Sequence, residues 1–218
     1  MTEEEWLSSP YVQLLVEYLQ DKASDRKWRL FGCACCRRAW DLLTDERSRK
    51  AVEVCEAFAD GLADLTALRD AHQQAHHAVE ENVDTWQDDN WSAFDAVRTN
   101  AEDAAYHGAD LAADTLRNYV YAHRRDQEEQ AQFSLLRDIF GNPFRPTILP
   151  PAVLRWNSGM IVKIARSIYD DRLFSDLPVL ADALEEAGCT DSDILNHCRQ
   201  PGEHVLGCWA VDLLLGKK

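Results

Sequence analysis

An all-α fold follows from three properties of this 218-residue sequence. Apolar residues recur at the helical spacing in nearly every segment. Chain breakers are few, 9 Gly and 7 Pro, which disfavours the many turns of an all-β chain. The composition, 46% hydrophobic and 28% charged, is that of a globular protein, long enough to bury a core without disulfides. Eight to ten helices are expected: a long acidic antiparallel hairpin in the middle, about residues 63–125, and a compact C-terminal cluster.

The elements read in order. After the acidic "TEEEW", the stretch "YVQLLVEYL" places Val12, Leu15, Val16 and Leu19 on one helical face. Ser24 and Asp25 cap a helix expected to run to about Leu43, with Trp28, Phe31, Cys35, Arg38 and Leu42 on one stripe and Cys36, Trp40 and Leu43 on another. A helix apolar on two sides is buried between neighbours. Thr44 is the expected cap of the next helix, which ends near Gly61 and turns Val52, Cys55 and Phe58 inward.

Small residues mark the hairpin. Ala67, Ala71, Ala75 and Ala78 line its first helix; Ala101, Ala104, Gly108, Leu111 and Ala112 line its second, with Asn90 or Ser92 capping the latter. Residues 80–132 hold thirteen acids against four Arg and no Lys. A helix near 126–140 follows, and then "GNPFRPTILPP". There Gly141 closes the helix, and Pro143, Pro146, Pro150 and Pro151 forbid its continuation. This proline-rich connection, 141–151, divides an N-terminal region, 1–140, from a C-terminal cluster, 152–218, expected to pack on it. Helices are expected at about 157–171, 177–187, 191–199 and 204–215, with Gly188 ending the second and Thr190 or Asp191 opening the third.

The net charge of −15 speaks against the phosphate backbone of nucleic acid as the main partner, since that binding rests on Lys and Arg releasing counterions, so no nucleic-acid partner is expected. It also weakens docking to anionic membranes. A basic protein partner is compatible with it, and so is simple solubility. No basic segment followed by an apolar run opens the chain, and the seven cysteines are odd in number, so reduced thiols in a cytoplasmic protein are expected.

Three clusters carry candidate chemistry. Near the C-terminus Cys189, Cys198, His204 and Cys208 present zinc-ligand types at the spacing Cys-x8-Cys-x5-His-x3-Cys. This spacing lacks the close pair of a zinc knuckle, and Trp209, Leu213 and Leu214 share a helical face, so core packing is the competing reading. His197, Cys198 and His204 gather around the "QPGE" turn, and neither reading accounts for that. In "FGCACCRRAW", Cys33 and Cys36 stand one turn apart with Arg37 and Arg38 following. Arginines lower thiol pKa values, but a mid-helix position lacks the helix-start field that favours thiolate. The arginines are expected to pair with Asp41 or Glu46. Third, His72 and His76 on one hairpin helix face Asp103 and His107 on the other, as facing helices build metal centres in bundles, although the Glu-x-x-His pattern of di-iron sites is missing. Gly-x-Ser-x-Gly, Walker and dinucleotide motifs do not occur, which lowers the enzyme reading.

The segments "KASDRKWRLFGCACCRRAWDLLTDERSRKAVEVCEAFADG", "LLRDIFGNPFRP", "LPVLADALEEAGCTDSDILNHCR" and "HVLGCWAVDLLLGK" carry a resemblance over roughly residues 20–61 and 135–217. They are similar to a group of bacterial proteins abundant as paralogues in planctomycete-type genomes, to which no established activity attaches. Members of that group can carry Arg where this chain has Leu206, and a residue other than cysteine at Cys33, which counts against a shared site that needs Cys33. The resemblance implies a bacterial protein with a shared helical fold and no site residues.

The leading functional expectation is a non-catalytic interaction or regulatory module engaging a protein through the acidic hairpin. A metal protein using the C-terminal Cys/His cluster, with zinc as the ion, is the alternative. An enzyme with a pocket around Asn142, Arg145, Trp156 and Asp170 is a third reading.

Overall fold

The computed structural model describes residues 1–9, 11–81 and 125–218. Its helices are α1 (Glu3–Ser8), α2 (Val12–Leu19), α3 (Asp25–Arg38), α4 (Glu46–Ala59), α5 (Leu65–Glu81), α6 (Arg125–Phe140), α7 (Pro151–Asp170), α8 (Leu177–Glu186), α9 (Ser192–Arg199) and α10 (Trp209–Leu215), with a 3-10 turn at Phe174–Asp176. No strand occurs among the described residues. The fold is all-α, as the periodicity predicts. No helix among the described residues is long and apolar enough to cross a membrane.

Short polar side chains set the helix starts. Thr2 and Glu5 form a reciprocal capping box on α1, Glu5 N donating to Thr2 Oγ1 at 3.2 Å and Thr2 N to Glu5 Oε2 at 2.6 Å. Ser24 Oγ accepts from Lys27 N at 3.4 Å at the start of α3. Asp45, not Thr44, caps α4, its Oδ1 accepting from Arg47 N at 2.8 Å, and the same carboxylate then grips the Arg47 guanidinium, which Thr cannot do. Asp191 caps α9 by accepting from Asp193 N and Ile194 N.

Other boundaries move for identifiable reasons. Helix α3 stops at Arg38, and the chain turns through 39–43, with Leu43 N bonded to Ala39 O, before α4. Helix α7 starts at Pro151 instead of near 157, because proline is compatible with the first helical position, where its missing N–H is not needed. It is then interrupted: Asn157, Ser158 and Gly159 all adopt left-handed φ (45°, 56°, 74°) before the helix resumes. Gly207, at φ 92°, delays α10 to Trp209, so His204 sits in a loop and not in a first helical turn.

The chain divides into two compact units, Met1–Leu136 and Arg137–Lys218, the division falling inside α6 before the proline stretch. The last turn of α6 goes with the second unit because Asp138 is bonded there to His204 and Val205. In the first unit α3, α4 and α5 enclose Cys33, Cys36, Leu43, Ala51, Val52, Cys55, Leu68, Ala71 and Ala75. Ion pairs rivet α3 to α4. Arg37 grips Glu56 with two bonds of 3.0 and 2.7 Å, and Arg26 Nε meets Asp60 at 2.9 Å. Arg37 thus pairs with Glu56, near the end of α4, rather than with Asp41 or Glu46.

In the second unit α7 to α10 surround a core that includes Ile161, Ile168, Leu180, Leu184, Ile194, Cys198, Cys208, Val211 and Leu214. The α5 helix buries Ala71, Ala75 and Ala78 along the small-residue stripe read from sequence. The expected second helix of the hairpin, and with it most of the acidic stretch 80–132, lies outside the described residues.

Candidate metal centre

Four helix ends and turns of the second unit converge on one buried point. Asp138 stands in the last turn of α6, which Gly141 closes in a left-handed conformation with its N–H on Arg137 O at 2.9 Å. Glycine is needed there twice over, because a Cβ would also lie 3.0 Å from the Trp209 ring. His197 stands in the last turn of α9, which ends at Gln200 before Pro201. The loop through His204 and Gly207 leads to Cys208, the cap residue of α10, whose carbonyl accepts from Asp212 N at 2.9 Å.

Asp138 is the hub. Its Oδ1 lies 2.5 Å from His204 Nδ1 and 3.2 Å from His197 Nε2, while Oδ2 accepts from Val205 N at 3.0 Å. His197 Nε2 is also 3.2 Å from Cys208 Sγ. The His197 ring packs against His204 and Trp209 at centroid distances of 4.9 Å each. The side chains of Asp138, His197 and His204 are only 3, 8 and 6% exposed, and Cys208 is fully buried. One ligand atom from each of the four lies within 4.8 Å of all the others, and among the described residues this is the group with that property.

The electrostatics follow from burial and the carboxylate. Burial pushes the Asp138 carboxyl up, but its bonds to His197 and His204 outweigh this and hold it below the usual range. Burial likewise opposes charge on His204, and the Asp138 bond prevails and raises it, with the Gln200 carbonyl adding to the effect. Cys208 is pushed well up by burial and by the nearby Asp138 charge, so without a metal it is a thiol. His204 Nε2 is buried without a hydrogen-bond partner. Nδ1 is engaged by an acceptor-only carboxylate, so Nδ1 carries the proton, and in the neutral ring Nε2 holds a free lone pair.

This arrangement is not a Cys–His–Asp nucleophilic triad. A triad needs thiol and carboxylate on opposite nitrogens of the ring, so that one orients while the other exchanges a proton. Here both Cys208 Sγ and Asp138 Oδ1 approach the same Nε2. The other nitrogen, Nδ1, is 3.3 Å from Gln200 Nε2. With the Gln200 amide turned over, its oxygen can accept from Nδ1–H, and Nε2 can then give up its bond to Asp138 and ligate a metal.

Ligand spacing suits a tetrahedral ion. Bonds of about 2.0 Å to N or O and about 2.3 Å to S set ligand atoms roughly 3.3–3.6 Å apart. The two separations at His197 Nε2 are both 3.2 Å. The contact between Asp138 and His204 must open by roughly 0.8 Å for both to ligate directly; otherwise His204 ligates through Nε2 while Asp138 keeps its Nδ1–H.

The residues singled out from sequence separate. His204 and Cys208 join the cluster. Cys189 and Cys198 are buried in the core of the second unit, outside the group of four, and Cys198 is pushed up to about 12 by burial, with Asp138 and Cys189 adding to it. Asp138 and His197 complete the cluster instead. The sequence reading does not single out Asp138; its one signal is an acid beside Leu135 and Ile139 on the buried face of α6. On the hairpin, His76 Nδ1 lies 3.4 Å from Glu80 on the exposed side of α5, and His72 is half-buried; Asp103 and His107 fall outside the described residues. Near the proline stretch, Asn142 Oδ1 accepts from Phe144 N to shape a turn, Trp156 packs on the core and Asp170 is exposed.

Fold and site together define an all-α protein with a buried Asp–His–His–Cys cluster. No protein-family model, no curated protein and no solved structure matches the chain.

Proposed function

We propose that the second unit binds a divalent transition metal, zinc by its donor chemistry, through Asp138, His197, His204 and Cys208. The observation that carries this is the convergence of four buried ligand types within 4.8 Å. Mixed nitrogen, sulfur and carboxylate donors suit zinc. Metal binding displaces the Cys208 proton, and a dication against one thiolate and one carboxylate leaves a neutral buried centre. A site this closed offers no open coordination position, so the ion's role is structural: it ties the end of α6 to the loop before α10.

The test is metal analysis of protein purified without a histidine tag, followed by zinc or cobalt titration after chelation. One equivalent of metal is expected, with a thiolate-to-cobalt absorption band that Cys208→Ser removes. Metal at a hundredfold excess over Kd is expected to stabilise the protein by about 2.7 kcal/mol. Asp138→Ala, His197→Ala and His204→Ala are expected to weaken binding, and Cys189→Ser and Cys198→Ser to leave it unchanged. Absence of metal together with no thermal shift on zinc addition refutes the proposal, as does loss of binding in Cys189→Ser.

A further inference from the structure

The break inside α7 sets two packings of one stretch against each other. Trp156 is extended (φ −54°, ψ 138°), and Asn157, Ser158 and Gly159 follow with φ/ψ of 45°/53°, 56°/38° and 74°/30°. L-residues visit the left-handed region singly, and glycine and asparagine are the ones that do so readily. Ser158 is neither. A side chain there disfavours the conformation about 5- to 30-fold per residue, and such strain persists only where the surroundings hold it. A Cβ at Gly159 meets nothing closer than the Leu154 carbonyl at 3.9 Å, so the left-handed φ, not lack of room, calls for glycine. The holding contacts lie on the arm before the break. Val153 is 3% exposed there, and Leu149, Leu154 and Trp156 pack against the same core. After the break Ile161, Ala165, Ile168 and Tyr169 are buried. In an unbroken right-handed helix the inward set changes. Leu154 then falls in line with Ile161, Ala165 and Ile168, at i, i+7, i+11 and i+14, while Val153 points about 100° aside. The sequence thus carries an apolar stripe for a continuous helix, and the fold buries a different residue.

We propose that α7 is a two-state element. Residues 157–159 pass from left-handed to right-handed, α7 becomes one straight helix, Leu154 replaces Val153 at the core, and the arm 151–156 leaves its present seat. The left-handed run and the conflict of register carry this. The exchange is nearly balanced. A buried valine is traded for a leucine, the strain at Ser158 is relieved, and the helix regains backbone bonds; against this, Trp156 loses its packing on the core. Two packings of one sequence that differ by such offsetting terms are what make an element bistable. The straight form uncovers the part of the second unit's core that Val153 and Trp156 now cover, so the break works as a gate on that apolar surface.

Pulsed electron-spin distance measurement on the full-length protein, spin-labelled at Ala152→Cys and Arg166→Cys, tests this; both positions are exposed. The seven native cysteines are all buried, so the folded protein takes label at the introduced sites. In a straight helix the two sites stand about 21 Å apart along the axis, and the broken helix gives a separate distance. The labelled parent is expected to show a main broken population and a minor straight one. Gly159→Ala penalises the left-handed turn and is expected to raise the straight-to-broken ratio about 5- to 30-fold, and Ser158→Gly to lower it by a similar factor. Absence of the straight population from both the parent and Gly159→Ala overturns the proposal, as does a Ser158→Gly ratio equal to that of the parent. If Gly159→Ala fails to fold, the comparison of the parent with Ser158→Gly decides.

Discussion

Replacing Asp138 by Asn measures how much the second unit depends on one buried carboxylate. The side chain is nearly isosteric, so its volume is preserved while charge and one acceptor are lost. Asp138 accepts from His204, His197 and Val205 N. An Asn oxygen in the Oδ1 position keeps the imidazoles but points an amide N–H at Val205 N–H; in the Oδ2 position it keeps Val205 and confronts both rings with a donor. Hydrogen bonds to a charged group are worth roughly 1.5–3 kcal/mol each, and breaking a buried ion pair costs about 3–5 kcal/mol. A loss of about 3–5 kcal/mol is therefore expected in the metal-free protein, read from urea unfolding by circular dichroism in the presence of a chelator. A double-mutant cycle with His204→Asn is expected to show coupling of about 1–3 kcal/mol, since the two side chains are in direct contact. An Asp138→Asn protein within about 0.5 kcal/mol of wild type, the range of ordinary surface changes, refutes the assignment of Asp138 as the hub.

The same pair predicts a pH profile for the metal-free protein. The folded Asp138 carboxyl is depressed, so its contribution is complete above about pH 4 and is lost as the pH falls through its folded value. His204 is raised, so its contribution is complete below about pH 6.5 and is lost as the pH rises through its folded value. Denaturation midpoints are expected to fall on the alkaline side of this window, less steeply in His204→Asn. Gly141→Ala combines a left-handed φ of 65° with a Cβ 3.0 Å from the Trp209 ring, and is expected to cost about 1–3 kcal/mol in chemical unfolding. Glu56→Gln removes the charge that the Arg37 fork grips; Arg37 is partly exposed, so the expected loss is about 1–3 kcal/mol, with Arg37→Lys failing to retain the bidentate geometry.

Helical periodicity exposed the fold because each helix buries one stripe and solvates the rest. The small-residue face of α5 and the inward turn of Val52 and Cys55 on α4 were readable for that reason. The site was half readable. His204 and Cys208 were visible as ligand types, but linear spacing then recruited Cys189 and Cys198, nearer in sequence and in fact core residues. Asp138 is 66 residues from His204, and only the packing of α6's last turn against the loop after α9 brings them together. The left-handed run at Asn157–Gly159 gave no signal beyond a single glycine and an asparagine, because two consecutive non-glycine residues with positive φ are not a pattern that local preference selects.

The pairing of Asp138 and Gly141 with His197, His204, Cys208 and Trp209 also constrains how such a chain can diverge. Each half is a liability alone: an Asp without its imidazoles is a buried charge without a counter-charge, and a residue larger than glycine at 141 crowds the Trp209 ring at 3.0 Å. Substitutions in the two short segments, far apart in sequence, are therefore expected to be coupled. A descendant that loses the aspartate gains most by losing the histidines as well, and intermediates that hold only one half carry the full penalty. The pattern Asp-x2-Gly followed at a distance by His-x6-His-x3-Cys-Trp is therefore expected to be kept or lost as a unit, and it is the phrase by which this architecture can be sought in other chains.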